Sequence, residues 1–92
     1  MEFEWGESKA RINLKKHKIR FEEAKTVFND PWLITFPDPE HSEDEERYLS
    51  IGLSVRGRVL VVVHLECEEN IRLISGRKAT PRERRFYEQG NR

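Results

Sequence analysis

Three arginines, Arg47, Arg72 and Arg77, stand inside or at the margins of segments that otherwise read as β-strand. A guanidinium is costly to bury unless it is paired or meets an anion. It grips phosphate through two parallel hydrogen bonds and stays charged at every relevant pH. Two readings follow: ion pairs with Glu46, Glu66 or Glu83, or a cationic surface for phosphate where helices leave the sheet open. Lys78 extends the same surface. Glu46 directly precedes Arg47, and the two suit either a proton-transfer carboxylate beside a phosphate clamp or a surface ion pair of little weight. His64 ends an apolar run, where an imidazole can pass protons near neutral pH or serve as a hydrogen-bonded structural residue. His17 closes the apolar stripe of a helix and reads as a core or capping residue. Histidines at 17, 41 and 64 share no metal-ligand spacing such as H-E-x-x-H. The lone Cys67 excludes a cysteine-based zinc site and an internal disulfide. No metal and no cofactor are expected.

Short elements must position these groups. Glu2 to Trp5 alternates polar and aromatic residues and predicts a short strand. Glu7 to Lys18 predicts a helix with Ala10, Leu14 and His17 on one face and Arg11, Lys15 and Lys18 on another. Phe21 to Phe28 predicts a second, with Glu22 and Glu23 at its N-terminal dipole and Asn29-Asp30-Pro31 as its stop. Trp32 to Phe36 reads as an edge strand or extended segment, and Pro37 to Glu46 as an exposed acidic loop. Tyr48 to Val55 alternates like a half-buried strand, and Arg56-Gly57 turns the chain. Val59 to Leu65 is apolar at both parities, as expected of a central strand covered on both faces. After a turn at 68–70, Ile71 to Arg77 is a third strong strand. Strict alternation along it puts Ile71, Leu73, Ser75 and Arg77 on one face and Arg72, Ile74, Gly76 and Lys78 on the other.

Thr80, Pro81 and Glu83 are the N-cap, first position and N3 acid of a capping box, so a last helix runs from Pro81 to about Gln89, on which Tyr87 either reaches a site or, with Phe86, anchors the helix. The expected fold class is α+β: a single domain over 1–92, with two N-terminal helices and one C-terminal helix on one face of an antiparallel sheet of three to four strands.

Bulk composition bounds the rest. Ninety-two residues close one modest core, and 37% of them are charged with a formal net charge of zero. The distribution is uneven. Six Lys/Arg and no acid lie between Lys9 and Arg20, five more stand from Arg77 to Arg85 against Glu83 alone, and six acids fall between Asp38 and Glu46. A neutral molecule with separated surfaces still attracts a polyanion to one side. No leader-like apolar segment is visible, and Val59 to Val63, the longest apolar run, is far too short to span a bilayer. The expected location is cytoplasmic, with no membrane partner.

The order of short blocks resembles the BrnT toxin family across nearly the whole chain. Phe3-Glu4-Trp5-Gly6-Glu7-Ser8-Lys9 with Asn13-Leu14-Lys15-Lys16-His17 is similar to its first block, and Phe21-Glu22-Glu23-Ala24 with Val27-Phe28-Asn29-Asp30-Pro31 to its second. Glu46-Arg47 through Ile51-Gly52 resembles the third, and Ile71 to Ala79 followed by Glu83-Arg84 and Tyr87 the fourth. Gly6, Gly76, Leu65 and Cys67 depart from the pattern.

The resemblance implies a RelE-like fold and a ribonuclease toxin that cuts RNA without a metal. It also implies a BrnA-like ribbon-helix-helix antitoxin that neutralises the toxin and alone contacts operator DNA. On that footing Arg47, Arg72 and Arg77 are the candidate phosphate clamps, Glu46 and His64 the proton-transfer candidates, and Lys9, Lys16 and Lys78 candidate holders of the RNA strand. The competing expectations are a non-catalytic module that only binds the antitoxin and a stand-alone nucleic-acid binder.

Overall fold

The computed structural model describes residues 2–40 and 46–90, so half of the acidic loop, including His41, lies outside the described residues. Its strands are β1 (Glu2–Glu4), β2 (Ile34–Pro37), β3 (Arg47–Leu53), β4 (Val59–Cys67) and β5 (Asn70–Lys78), in the order β1-β5-β4-β3-β2. β2 to β5 pair antiparallel, but β1 runs parallel to β5, with Phe3 opposite Ile71. The sheet is thus five-stranded and mixed, not an antiparallel sheet of three to four strands. The addition has a packing cause. Phe3 meets Phe28 with ring centroids 5.3 Å apart and Trp5 meets Phe21 at 5.7 Å, so burial of two aromatic residues carries the N-terminus onto β5.

The helices also depart from expectation, because they cover both faces. α1 (Glu7–His17) and α2 (Phe21–Ala24), the latter continuing as a 3-10 turn over Lys25–Asn29, lie on one side. There Ile19, Phe21, Ala24 and Val27 pack with Leu60, Val62, Ile71 and Leu73. α3 (Pro81–Gln89) lies on the other, where Tyr87 and Ala79 pack with Ile51, Val59 and Val61. Alternate residues of β4 feed the two cores. Its apolar character at both parities follows from that double covering.

The registers reveal one irregularity that governs the site. Val63 pairs with Ser75 while His64 pairs with Leu73, so Ile74 is an extra residue in β5. Such a bulge shifts every side chain beyond it to the opposite face. Leu73 and Ile71 therefore share the α1/α2 side with Gly76, and Arg77 and Ser75 share the α3 side with Arg72. Strict alternation along β5 does not hold.

Candidate cationic groove

Arg47 pairs in register with Leu65, which pairs with Arg72, and Arg77 pairs with Val61. All three arginines consequently stand on the α3 side of the sheet. Arg47 and Arg72 are two strand spacings apart, roughly 10 Å. Among the described residues that face is open beside α3. A groove of about 420 Å³ is floored by Leu49, Val63 and Ser75, with Arg47 and Arg77 along its walls and Asp38 and Glu40 on the acidic-loop side. Arg72 is not part of this lining; it is 41% exposed, 3.6 Å from Glu4 of β1.

Arg77 is held firmly. Its Nη1 and Nη2 donate to Oε1 and Oε2 of Glu83 at 2.8 and 2.9 Å, and Nη1 also reaches the Lys78 carbonyl at 3.3 Å. Glu83 is the capping-box acid of α3: its carboxylate accepts from the Thr80 N–H at 2.9 Å, and the Thr80 hydroxyl accepts from the Glu83 N–H at 3.1 Å. The Arg77 guanidinium pulls the Glu83 carboxyl down to about 2, against a partial burial that opposes the shift. Both expected roles of Arg77 therefore meet in one residue. It is ion-paired, yet 37% exposed and part of the groove lining.

The groove does not stop at β5. β1 pairs only with residues 70–72, so among the described residues the remainder of β5 has no strand on its outer side, and α1 runs along it. A second pocket of about 180 Å³ lies there, lined by Lys9, Ile12, Asn13, Lys16 and His17 of α1 with Ile74 and Ser75. Ile74 and Ser75 belong to both hollows, so the bulge joins them. Asn13 fixes α1 in place. Its Nδ2 donates to the carbonyls of Ile19 and Gly76 at 2.9 and 2.8 Å, and its Oδ1 accepts from the Gly76 N–H at 3.0 Å. The side-chain amide thus satisfies both polar groups of an edge residue, as a neighbouring strand would. Lys9, Asn13 and His17 are successive turns of one helical face, so docking Asn13 on Gly76 sets the other two along the same edge.

Other candidates lie elsewhere. His64 is fully buried on the α1/α2 side. Its Nε2 shares a 2.7 Å hydrogen bond with Ser50, and its ring stands edge-on to Phe28 and stacks on Tyr48. Burial lowers it to about 4, and Nδ1 has no hydrogen-bond partner among the described residues. The sheet separates this neutral imidazole from the three arginines. Lys78 lines a different hollow with Arg58 and Arg84. Glu46 is exposed immediately before β3. Among the described residues no group of three His, Cys, Asp or Glu converges to hold a metal ion.

Sequence reasoning overlooked four contributors. Asp38 is buried by a local turn, its Oδ1 accepting from the Glu40 N–H at 3.0 Å, within a stretch that reads as uniform acidic loop. Ser75 carries no signal beyond its place in a strand. Asn13 is polar on a helix face that buries it, which was the available sign. His17 reads from sequence as a core or capping residue, whereas it lines the second pocket.

Three comparisons bear on this arrangement. No curated protein matches the sequence. Among solved structures, the ribonuclease toxin BrnT of Brucella abortus, determined at 1.1 Å, is similar with a TM-score of 0.68 and 23% identity, over 87% of this chain and 97% of that one. At that identity the likeness establishes the fold. A family model described as the ribonuclease toxin BrnT of type II toxin–antitoxin systems matches residues 5–83. That match spans α1, the bulge and Glu83, and the chain therefore belongs to the BrnT family of ribonuclease toxins of type II toxin–antitoxin systems.

Proposed function

We propose that the groove binds the RNA backbone and cleaves it without a metal, the ribose 2′-OH serving as nucleophile. The supporting observation is that Arg47 and Arg77 face one open groove that continues past the bulge onto the lysine-bearing edge of α1. In such a reaction negative charge builds on the non-bridging phosphate oxygens, and fixed donors aimed at that charge are usually the largest catalytic contribution. Arg77, oriented by Glu83, and Arg47 supply those donors. Arg72 stands beyond Leu65 and takes a neighbouring phosphate. Lys9 and Lys16 hold the strand further along, contributing position without sequence reading. Glu46 remains a proton-transfer candidate beside Arg47. His64, buried behind the sheet, and Lys78, at another hollow, have no part in the proposal.

Membership in a type II family implies a cognate antitoxin. We infer that it carries a ribbon-helix-helix domain, that it alone contacts operator DNA, and that the pair works in the cytoplasm. The second reading, a module that holds the antitoxin without cutting RNA, has one observation in its favour: Arg77 is already engaged by Glu83.

The test is incubation of purified protein with RNA in excess chelator. Products ending in a 2′,3′-cyclic phosphate and a 5′-hydroxyl are expected, with Arg47→Ala and Arg77→Ala each losing about 100-fold or more while the circular dichroism of a folded protein persists. Cleavage that appears only when a divalent cation is restored would overturn the metal-free reading. Tight antitoxin binding with no cleavage at any salt would select the binding module.

A further inference from the structure

Among the described residues, His17 is the one histidine that the fold leaves beside the cationic groove. It ends α1, is only partly buried, and lines the pocket that meets the groove at Ile74 and Ser75. Asn13, one turn earlier on the same face, is tied to Gly76 by two hydrogen bonds, so the imidazole is held against β5 by a fixed helix. We infer that His17 is a catalytic residue of the ribonuclease reaction, taking the proton of the attacking ribose 2′-OH. The inference rests on the ribonuclease reading proposed above and assigns to His17 the base role for which Glu46 stood as a candidate.

The 2′ oxygen forms a bond to phosphorus as its proton passes to an imidazole nitrogen of His17. The bond from phosphorus to O5′ breaks and O5′ takes a proton from water; the hydroxide so formed takes back the proton held by His17, leaving a 2′,3′-cyclic phosphate, a 5′-hydroxyl and a neutral imidazole. In-line attack puts entering and leaving oxygens on opposite sides of phosphorus, so one imidazole serves only the entering side.

The environment suits a base. His17 faces Lys16, with Lys9 and Asn13 also lining its pocket from α1, and Ile74, Ser75 and the nearby Arg77 from β5, while Glu83 of α3 is held on Arg77. Burial, then the positive charges of Lys16 and Arg77, holds the imidazole below its ordinary value. It is therefore neutral and able to accept a proton at neutral pH. Burial chiefly, and then the cations that would bind phosphate, keep the base unprotonated.

Two measurements decide the matter. Wild-type cleavage in chelator should rise with pH and level off as His17 loses its proton. His17→Gln should fold, lose about 100-fold or more in rate, and lose that rising limb. Independently, a 2′-O-methyl oligoribonucleotide, which lacks the nucleophile, should shift the His17 ring resonances of the wild-type protein and leave those of His64 in place. A His17→Gln protein that cleaves within about 3-fold of wild type with the same pH profile overturns the assignment while leaving the ribonuclease reading intact. So does an unmoved His17 resonance at saturating oligonucleotide. Wild-type protein that never cleaves RNA removes the ribonuclease reading and the assignment together.

Discussion

Glu83 performs two tasks with one carboxylate, capping α3 through Thr80 and fixing the Arg77 guanidinium at the groove wall. Its pH behaviour follows. Folding lowers its carboxyl to about 2 from the ordinary 4.5, so the folded state favours the ionised form. The resulting stability is fully present above the unfolded value and disappears as pH falls from about 4.5 toward 2. Because the pair is partly exposed and screened, Glu83→Gln should cost only about 1 kcal/mol at neutral pH. Urea denaturation should show that difference shrinking toward pH 2; an unchanged difference would mean the ion pair contributes nothing. Arg77→Ala should lose the same contribution, so the groove's main cation and the α3 cap are coupled. At this scale the sequence was partly legible. The capping box was plain in Thr80-Pro81-x-Glu83, and Glu83 was among the named partners of Arg77. The faces of Ile71, Leu73 and Arg77 were not legible, because a single extra residue at Ile74 inverts parity without leaving a sequence signal.

Between elements, small polar and small-residue contacts decide how the layers lie. Asn13 satisfies the N–H and carbonyl of Gly76 and the carbonyl of Ile19 from within a buried setting. Asn13→Ala strands those groups, and each buried polar group left unpaired costs about 1–3 kcal/mol. Water admitted at the loosened edge recovers part of it, so a loss of about 2–4 kcal/mol is expected in chemical denaturation. A loss under about 0.5 kcal/mol would show that α1 is held by other contacts. Gly52 makes the complementary point under the 3-10 turn. A Cβ there would stand 2.7 Å from Leu33 Cδ1 and 3.2 Å from Val27 Cβ and from the Val27 carbonyl oxygen. Gly52→Ala should destabilise by about 1–3 kcal/mol as overpacking, measurable as a lowered denaturation midpoint. On the opposite face Tyr87 donates its hydroxyl to Asp30, which also accepts from the N–H groups of Leu53 and Trp32, tying α3 to the end of the 3-10 turn. Helix and strand limits were largely readable, since caps and alternation are local. The parallel pairing of β1 with β5 and the passage of α3 to the second face were not, because both depend on which distant surfaces remain apolar. The doubly apolar Val59 to Val63 was the clue to two covered faces.

For the molecule as a whole, formal neutrality hides a strongly local field. Seventeen Lys/Arg balance seventeen Asp/Glu, so bulk charge gives RNA no reason to bind. Attraction must come from the cations that share one path: Arg47 and Arg77 in the groove, Lys9 and Lys16 along the α1 edge. Association with a polyanion releases counterions in proportion to the phosphates neutralised, with a slope of log affinity against log salt of about −0.7 per contact for a single strand. These four contacts and the neighbouring phosphate taken by Arg72 therefore predict a slope of about −3.5 for a non-cleavable 2′-O-methyl strand. Lys9→Gln and Lys16→Gln should each reduce its magnitude by about 0.7 and weaken binding equally across sequences, because phosphate contacts position the strand without reading bases. Lys78→Gln should leave the slope unchanged, since Lys78 lines a separate hollow. A slope near zero would mean that the groove and the α1 edge do not form one path for the backbone. An equal effect from Lys78→Gln would instead extend that path to the far end of β5.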